Sequence, residues 1–167
     1  MPPDVSTLAD PVRRRLYRAL ARRAFLGEGG GSMVDWAVEA LAAGWDSAPL
    51  RVLAGLVKPP NEFEVGRVLT ETLKSLGLEM PEMDELVRAA AFVVAGDIVS
   101  GATLPRVGCA ELSRLCSATG YRESLMPFYT AEEAYALAET GVYGTVEEVT
   151  EAVLDDARRL VESSTLR

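Results

Sequence analysis

The chain has no histidine, only two lysines, Lys58 and Lys74, and only two cysteines among 167 residues. Without histidine there is no Ser-His-Asp or Cys-His mechanism and no imidazole ligand for a metal. Neither lysine sits in an obviously apolar setting of the kind that makes a catalytic amine. Cys109 and Cys116 are seven apart on one expected helix, about 10 Å along its axis. A disulfide requires Cα atoms within about 7 Å, so both are expected as reduced, buried, small hydrophobes. No apolar run approaches the roughly 18 residues a membrane span requires, and the N-terminus lacks the apolar core of a signal peptide. The expectation is a soluble, cytoplasmic protein with no membrane contact.

What is present in quantity is charge and aliphatic surface. Nearly half the residues are hydrophobic and a quarter are charged, an ordinary globular balance. The net charge of −8 argues against a general nucleic-acid binder. It is unevenly spread. Residues 1–27 hold six arginines and two aspartates, whereas the rest holds eleven basic and twenty-three acidic side chains. A basic arm for a partner is one reading. A basic helix lying on the acidic body of its own chain is the other, and it is favoured because charge runs are usually solvated faces.

The pattern is helical throughout. Pro81 to Gly101 is the most apolar stretch: from Leu86 to Val99 only Arg88, Gly96 and Asp97 interrupt it. A helix apolar on every side is buried on every side, so this segment is expected as the central post, with Pro81 in its first turn. Asp10-Pro11 reads as an N-cap and first helical residue for VRRRLYRALARRAFL. There Val12, Leu16, Ala19, Leu20 and Leu26 share one side, and Arg14, Arg15, Arg18 and Arg22 the other. GEGGGS, residues 27–32, has the composition of a flexible hinge.

Further helices are expected from Met33 to Gly44, from Asp46 or Ser47 through Gly55, and from Asn61, whose cap opens Val65, Val68, Leu69, Thr72, Leu73 and Leu76 at helical spacing. After a loop ATLPRVG come a helix from Cys109, a helix from a Thr130–Glu133 capping box, and a last helix from a Thr145–Glu148 box with Asp155 and Arg159 as an i, i+4 pair. No stretch alternates long enough to argue a sheet. The expected fold is all-α, a compact bundle of about eight helices around a buried central helix, with residues 1–32 as a tethered arm and 33–167 as the helical domain.

Two resemblances enter on particular residues. LADPVRRRLYRALA, residues 8–21, resembles the opening helix of winged-helix repressors through Asp10, Pro11, Arg13, Arg14, Arg15, Leu16 and Leu20. It implies a DNA-binding regulator, yet the candidate recognition helix APLRVLAGL carries only Arg51 and is otherwise core-like. DWAVEALAAGWDSAPLRVLAGL, NEFEV, LGLEMP and GCAELSRLC, within residues 33–128, resemble a family of small bacterial helical proteins. Trp36, Ala37, Leu41, Gly44, Asp46, Ser47, Leu50, Leu53, Ala54, Gly55 and Leu56 carry that match. It implies a helical fold with no assigned activity and no catalytic residue, and members begin near Met33.

Acidic pairs such as Glu132-Glu133 and Glu147-Glu148 stand in first turns, where they answer the helix dipole. No calcium-loop or phosphate-loop pattern is present. No cofactor, no metal and no enzymatic activity are therefore expected. Asp97 is the exception, a carboxylate near the end of the most apolar helix, where an unpaired charge is costly. It either faces an edge, pairs with an arginine such as Arg106, or serves a ligand. Trp45, Tyr121, Phe128 and Tyr129 lie beside turns, where aromatics either anchor a partner or pack the core. The leading functional expectation is a non-catalytic protein-interaction module, able to self-associate through its N-terminal helix. Arg14, Arg15, Arg18 and Arg22 would orient the contact, and Leu16 and Leu20 would supply burial. The alternatives are a DNA-binding regulator and a small-ligand binder or carboxylate-dependent enzyme.

Overall fold

The structure, a computed structural model, describes residues 8–165. Among these it is all-helical, with no strand. The helices are α1 (Pro11–Phe25), α2 (Gly31–Ala42), α3 (Ala48–Ala54), α4 (Glu62–Ser75), α5 (Met83–Ser100), α6 (Pro105–Ala118), α7 (Met126–Glu139) and α8 (Val146–Thr165). One turn of 3-10 helix, Glu123–Leu125, precedes α7. The chain divides into two compact units, one ending at Ala89 and the other beginning at Ala90, so the boundary lies inside α5. The buried residues of α5, from Leu86, Val87 and Ala89 to Val93, Val94, Ala95 and Ile98, go nearly all the way round it. Its first residue is Met83, and Leu86 N donates to Glu82 O at 2.8 Å. Pro81 therefore lies outside the helix it was expected to open.

In the first unit α1 packs on α2, α2 on α3 and α3 on α4. The caps are local and follow the sequence. Asp10 accepts from Val12 N at 2.8 Å, Ser47 from Leu50 N at 3.2 Å, and Asn61 from Phe63 N and Glu64 N at 2.9 and 3.3 Å. Each satisfies a backbone donor that the first turn leaves open. Val12, Leu16, Ala19, Leu20 and Ala21 of α1 are buried. Trp36 of α2, also buried, donates its indole N–H to Val12 O at 3.0 Å. Thr72 is buried on α4, with its hydroxyl satisfied by Val68 O at 2.8 Å.

The expected hinge at 27–32 departs from the structure in an instructive way. Gly31 and Ser32 already belong to α2. Gly30 is buried, and a Cβ on it would stand 2.5 Å from Val65 Cγ2. Its N–H donates to Glu62 Oε1, while Arg23 Nε reaches Glu62 Oε2 at 3.2 Å. Glu62 thus ties the end of α1 and the start of α2 to the start of α4. The glycine run permits close approach there, and at Gly27 and Gly29 it permits positive φ.

In the second unit α6 and α7 are antiparallel. Arg106, near the start of α6, reaches Glu132 at the middle and Glu139 at the end of α7, and Cys116 Sγ lies 3.9 Å from Met126 Sδ at the start of α7. α8 returns against α7, with Tyr135 OH 3.0 Å from Thr150 Oγ1. α6 begins at Pro105, four residues before the expected start at Cys109. Gly108, which reads locally as a loop residue, is a buried crossing point where a Cβ would meet Ile98 Cγ1 at 2.4 Å. α7 begins at Met126 with Pro127 in its first turn, a position that tolerates proline. The expected Thr130–Glu133 box is therefore absent, and the Thr130 hydroxyl donates back to Met126 O and Pro127 O. The Thr145–Glu148 box does form, at 2.9 and 3.2 Å. Asp155 pairs with Arg158 and Asp156 with Arg159, both i, i+3, in place of the expected i, i+4 pair.

Candidate functional site

The arginines of α1 face a groove between α1 and α2. Arg15, Arg18 and Arg22 line one side with Ala19, and Ser32, Asp35, Trp36 and Glu39 line the other, around about 290 Å³ of space. Helical spacing explains both walls. Arg15, Arg18 and Arg22 recur at three and four residues on α1, and Asp35 and Glu39 are four apart on α2. Trp36 closes the floor, where its bond to Val12 O holds the two helices together.

The groove carries both signs of charge, with three guanidinium groups against two carboxylates. Arg15 Nη1 bridges it to Glu39 Oε2 at 2.9 Å, with both side chains about half exposed. Lys58 engages Asp35. Arg22 Nε stands 3.6 Å from Glu28 Oε2. Exposed pairs of this kind contribute about 0–1 kcal/mol each, so an incoming carboxylate can displace one at little cost. Tyr17 anchors the neighbouring face of α1 by donating to Glu85 Oε1 at 3.3 Å, and burial followed by the Glu85 charge raises its pKa.

Of the residues expected to bind a partner, Arg15, Arg18 and Arg22 come together in the groove, and Arg14 is half-buried elsewhere on α1. Leu16 and Leu20 do not face outward. They are 5% and 4% exposed, so the chain itself supplies their burial. The α2 wall escaped the sequence reading, although Asp35 and Glu39 are visible as the two acidic positions opposite buried Met33, Val34, Ala37 and Ala40.

Asp97 sits partly exposed on the last turn of α5, where its carbonyl accepts from Thr103 N at 3.0 Å. Arg106 reaches Glu132 and Glu139 and stacks 4.5 Å over the buried Tyr135 ring. Beside this cluster, Cys109 is buried and donates to Phe128 O at 3.4 Å. Burial, and then the Glu132 charge, push its thiol up to about 12, so it holds no thiolate at neutral pH. Both cysteines are free and buried. Phe128 is core, Trp45 packs edge-on to Trp36 at 6.5 Å, and the exposed Tyr121 and Tyr129 pair edge-on at 5.2 Å.

Among the described residues no group of three or more acidic or cysteine side chains stands close enough to hold a metal ion. None of their helices is long and apolar enough to cross a membrane. Compared with known proteins, the chain matches no family model, no curated protein and no solved structure.

Proposed function

We propose that the protein is a non-catalytic protein-interaction module that receives an acidic segment of its partner in the α1–α2 groove. The observation that carries this reading is the row of Arg15, Arg18 and Arg22 along one wall of an open groove. A guanidinium is a planar, bidentate donor to carboxylates, and a row of them orients a chain that presents acidic side chains. The opposing Asp35 and Glu39 select for register, because a uniformly acidic segment meets repulsion there. Self-association through the apolar face of α1 would require Leu16 and Leu20, which are already buried. The partner, a different protein or a second copy, is accordingly engaged through the arginines. Two free cysteines agree with a reducing, cytoplasmic setting, and the resemblance of residues 33–128 to small bacterial helical proteins brings no catalytic residue with it.

The volume of the groove, about 290 Å³, lies at the lower end for small-ligand cavities. A small anionic ligand held by the same arginines is therefore the second reading.

The test compares the tagged chain with an Arg15→Glu, Arg18→Glu, Arg22→Glu variant in capture from nuclease-treated lysate. The account expects one stoichiometric protein on the native chain, lost from the variant and eluted by salt. A partner retained by the variant contradicts it. Recovery of nucleic acid alone, before nuclease, would favour a DNA-binding regulator, and an empty capture would favour the small anion.

A further inference from the structure

A second surface lies in the other unit and rests on different residues. Residues 123–157 contain nine acidic side chains and no basic one. The antiparallel order of α6, α7 and α8 brings the start of α6, the end of α7 and the start of α8 to one end of this unit. Several apolar side chains are exposed on the segments that meet there. Leu104 is 71% exposed, Val142 70% and Tyr143 77%, with Val107, Leu137 and Val146 exposed beside them. Single exposed apolar residues need no explanation, but six gathered at one end of three helices mark a surface that is covered in use.

The turn that presents them is held firmly. Gly141 takes φ 69°, Val142 N donates to Leu137 O at 3.0 Å, and the Thr145–Glu148 box fixes the first turn of α8. Val142 and Tyr143 are thus preorganised, which lowers the entropy lost when they are covered. The charge around them has one sign. Glu147 and Glu151 are exposed and have no ion-pair partner among the described residues, and the one arginine at this end, Arg106, is engaged by Glu132 and Glu139.

We propose that this end of α6, α7 and α8 docks a basic amphipathic helix of a partner protein. The apolar side of that helix covers Leu104, Val142 and Tyr143, and its Lys and Arg side chains meet Glu147, Glu148 and Glu151. A folded second copy does not fit, because α1, the one strongly basic helix among the described residues, has its apolar face buried.

A synthetic peptide with the sequence of residues 11–25 carries six arginines and no acid and serves as the probe. It is titrated into the isotope-labelled full chain, beside a counterpart with every arginine changed to glutamate. The expected result is amide shifts at 104–107 and 137–151, and binding that weakens with salt. Tyr143→Ala and Val142→Asp should each weaken it about tenfold or more, Phe63→Ala, at an exposed position of the first unit, should leave it unchanged, and the acidic counterpart should not bind. Both substituted positions are exposed, and circular dichroism verifies that the variants keep their fold. Shifts confined to α1 and α2, binding indifferent to Tyr143→Ala and Val142→Asp, or no binding at millimolar peptide would each overturn the proposal. Concentration-dependent dimers that dissociate on Tyr143→Ala would overturn it in favour of a second copy.

Discussion

Two stretches of this chain carry charge of a single sign, and the fold treats them differently. α1 has six arginines and no acid, and residues 123–157 have nine acids and no base. The arginines of α1 meet counter-charges from their own unit: Arg15 at Glu39, Arg22 at Glu28 and Arg23 at Glu62. Its apolar face is buried. The acidic stretch is answered at Arg106, Arg158 and Arg159. Around the α7–α8 turn it leaves Glu147 and Glu151 beside exposed Val142 and Tyr143. A run of like charge is therefore an open surface only where folding brings no opposite charge to it. Linear charge asymmetry points first to α1, and the structure shows that much of α1's capacity is used within the chain.

The comparison breaks most severely at Trp36. Trp36→Ala removes a buried indole and the bond it donates to Val12 O. A loss of about 3–5 kcal/mol is expected in urea or thermal unfolding, with new protease cleavage near residues 27–30 as α1 loosens. A change below 1 kcal/mol would mean that α1 is not held by this contact.

Gly30→Ala and Gly108→Ala sharpen the comparison, one in each unit. A Cβ would stand 2.5 Å from Val65 Cγ2 or 2.4 Å from Ile98 Cγ1. Each should cost about 1–3 kcal/mol by overpacking, although alanine is the better helix former. An unchanged midpoint for Gly30→Ala would restore residues 27–32 as a linker.

The smallest effect is alkaline. The Cys109 thiol is raised in the folded chain to about 12 from 9.0. Above the unfolded value the unfolded chain loses this proton first and binds fewer protons than the folded one, so stability falls as pH rises from about 9 towards 12. Over the first pH unit of that window the loss is about 1 kcal/mol, and Cys109→Ala should reduce the slope measured by denaturant midpoints. An identical slope in the variant would place the thiol's ionisation elsewhere.

The local part of this architecture was legible in the sequence. Asp10, Asn61 and Thr145 cap as their spacing indicates, because a cap involves only the next two or three residues, and of Asp46 and Ser47 it is Ser47 that caps. The buried Val65, Val68, Leu69, Thr72 and Leu73 follow helical periodicity for the same reason. What stayed hidden depends on distant partners. Gly30 is explained by Val65 and Glu62, and Gly108 by Ile98, so neither glycine's role is visible among its neighbours. Half of the groove was legible, as the arginine stripe. The other half was not, because Asp35 and Glu39 become a wall only when Trp36 seats α1 on α2.

Amide hydrogen exchange on the full chain tests the central point most directly, that α1 is a folded wall of the groove. Amides of residues 15–25 should be protected about as strongly as those of residues 35–42, and Trp36→Ala should lower protection in α1 first. Exchange of α1 at the rate of an unfolded peptide, with α2 still protected, would contradict it, because the groove would then have only one wall.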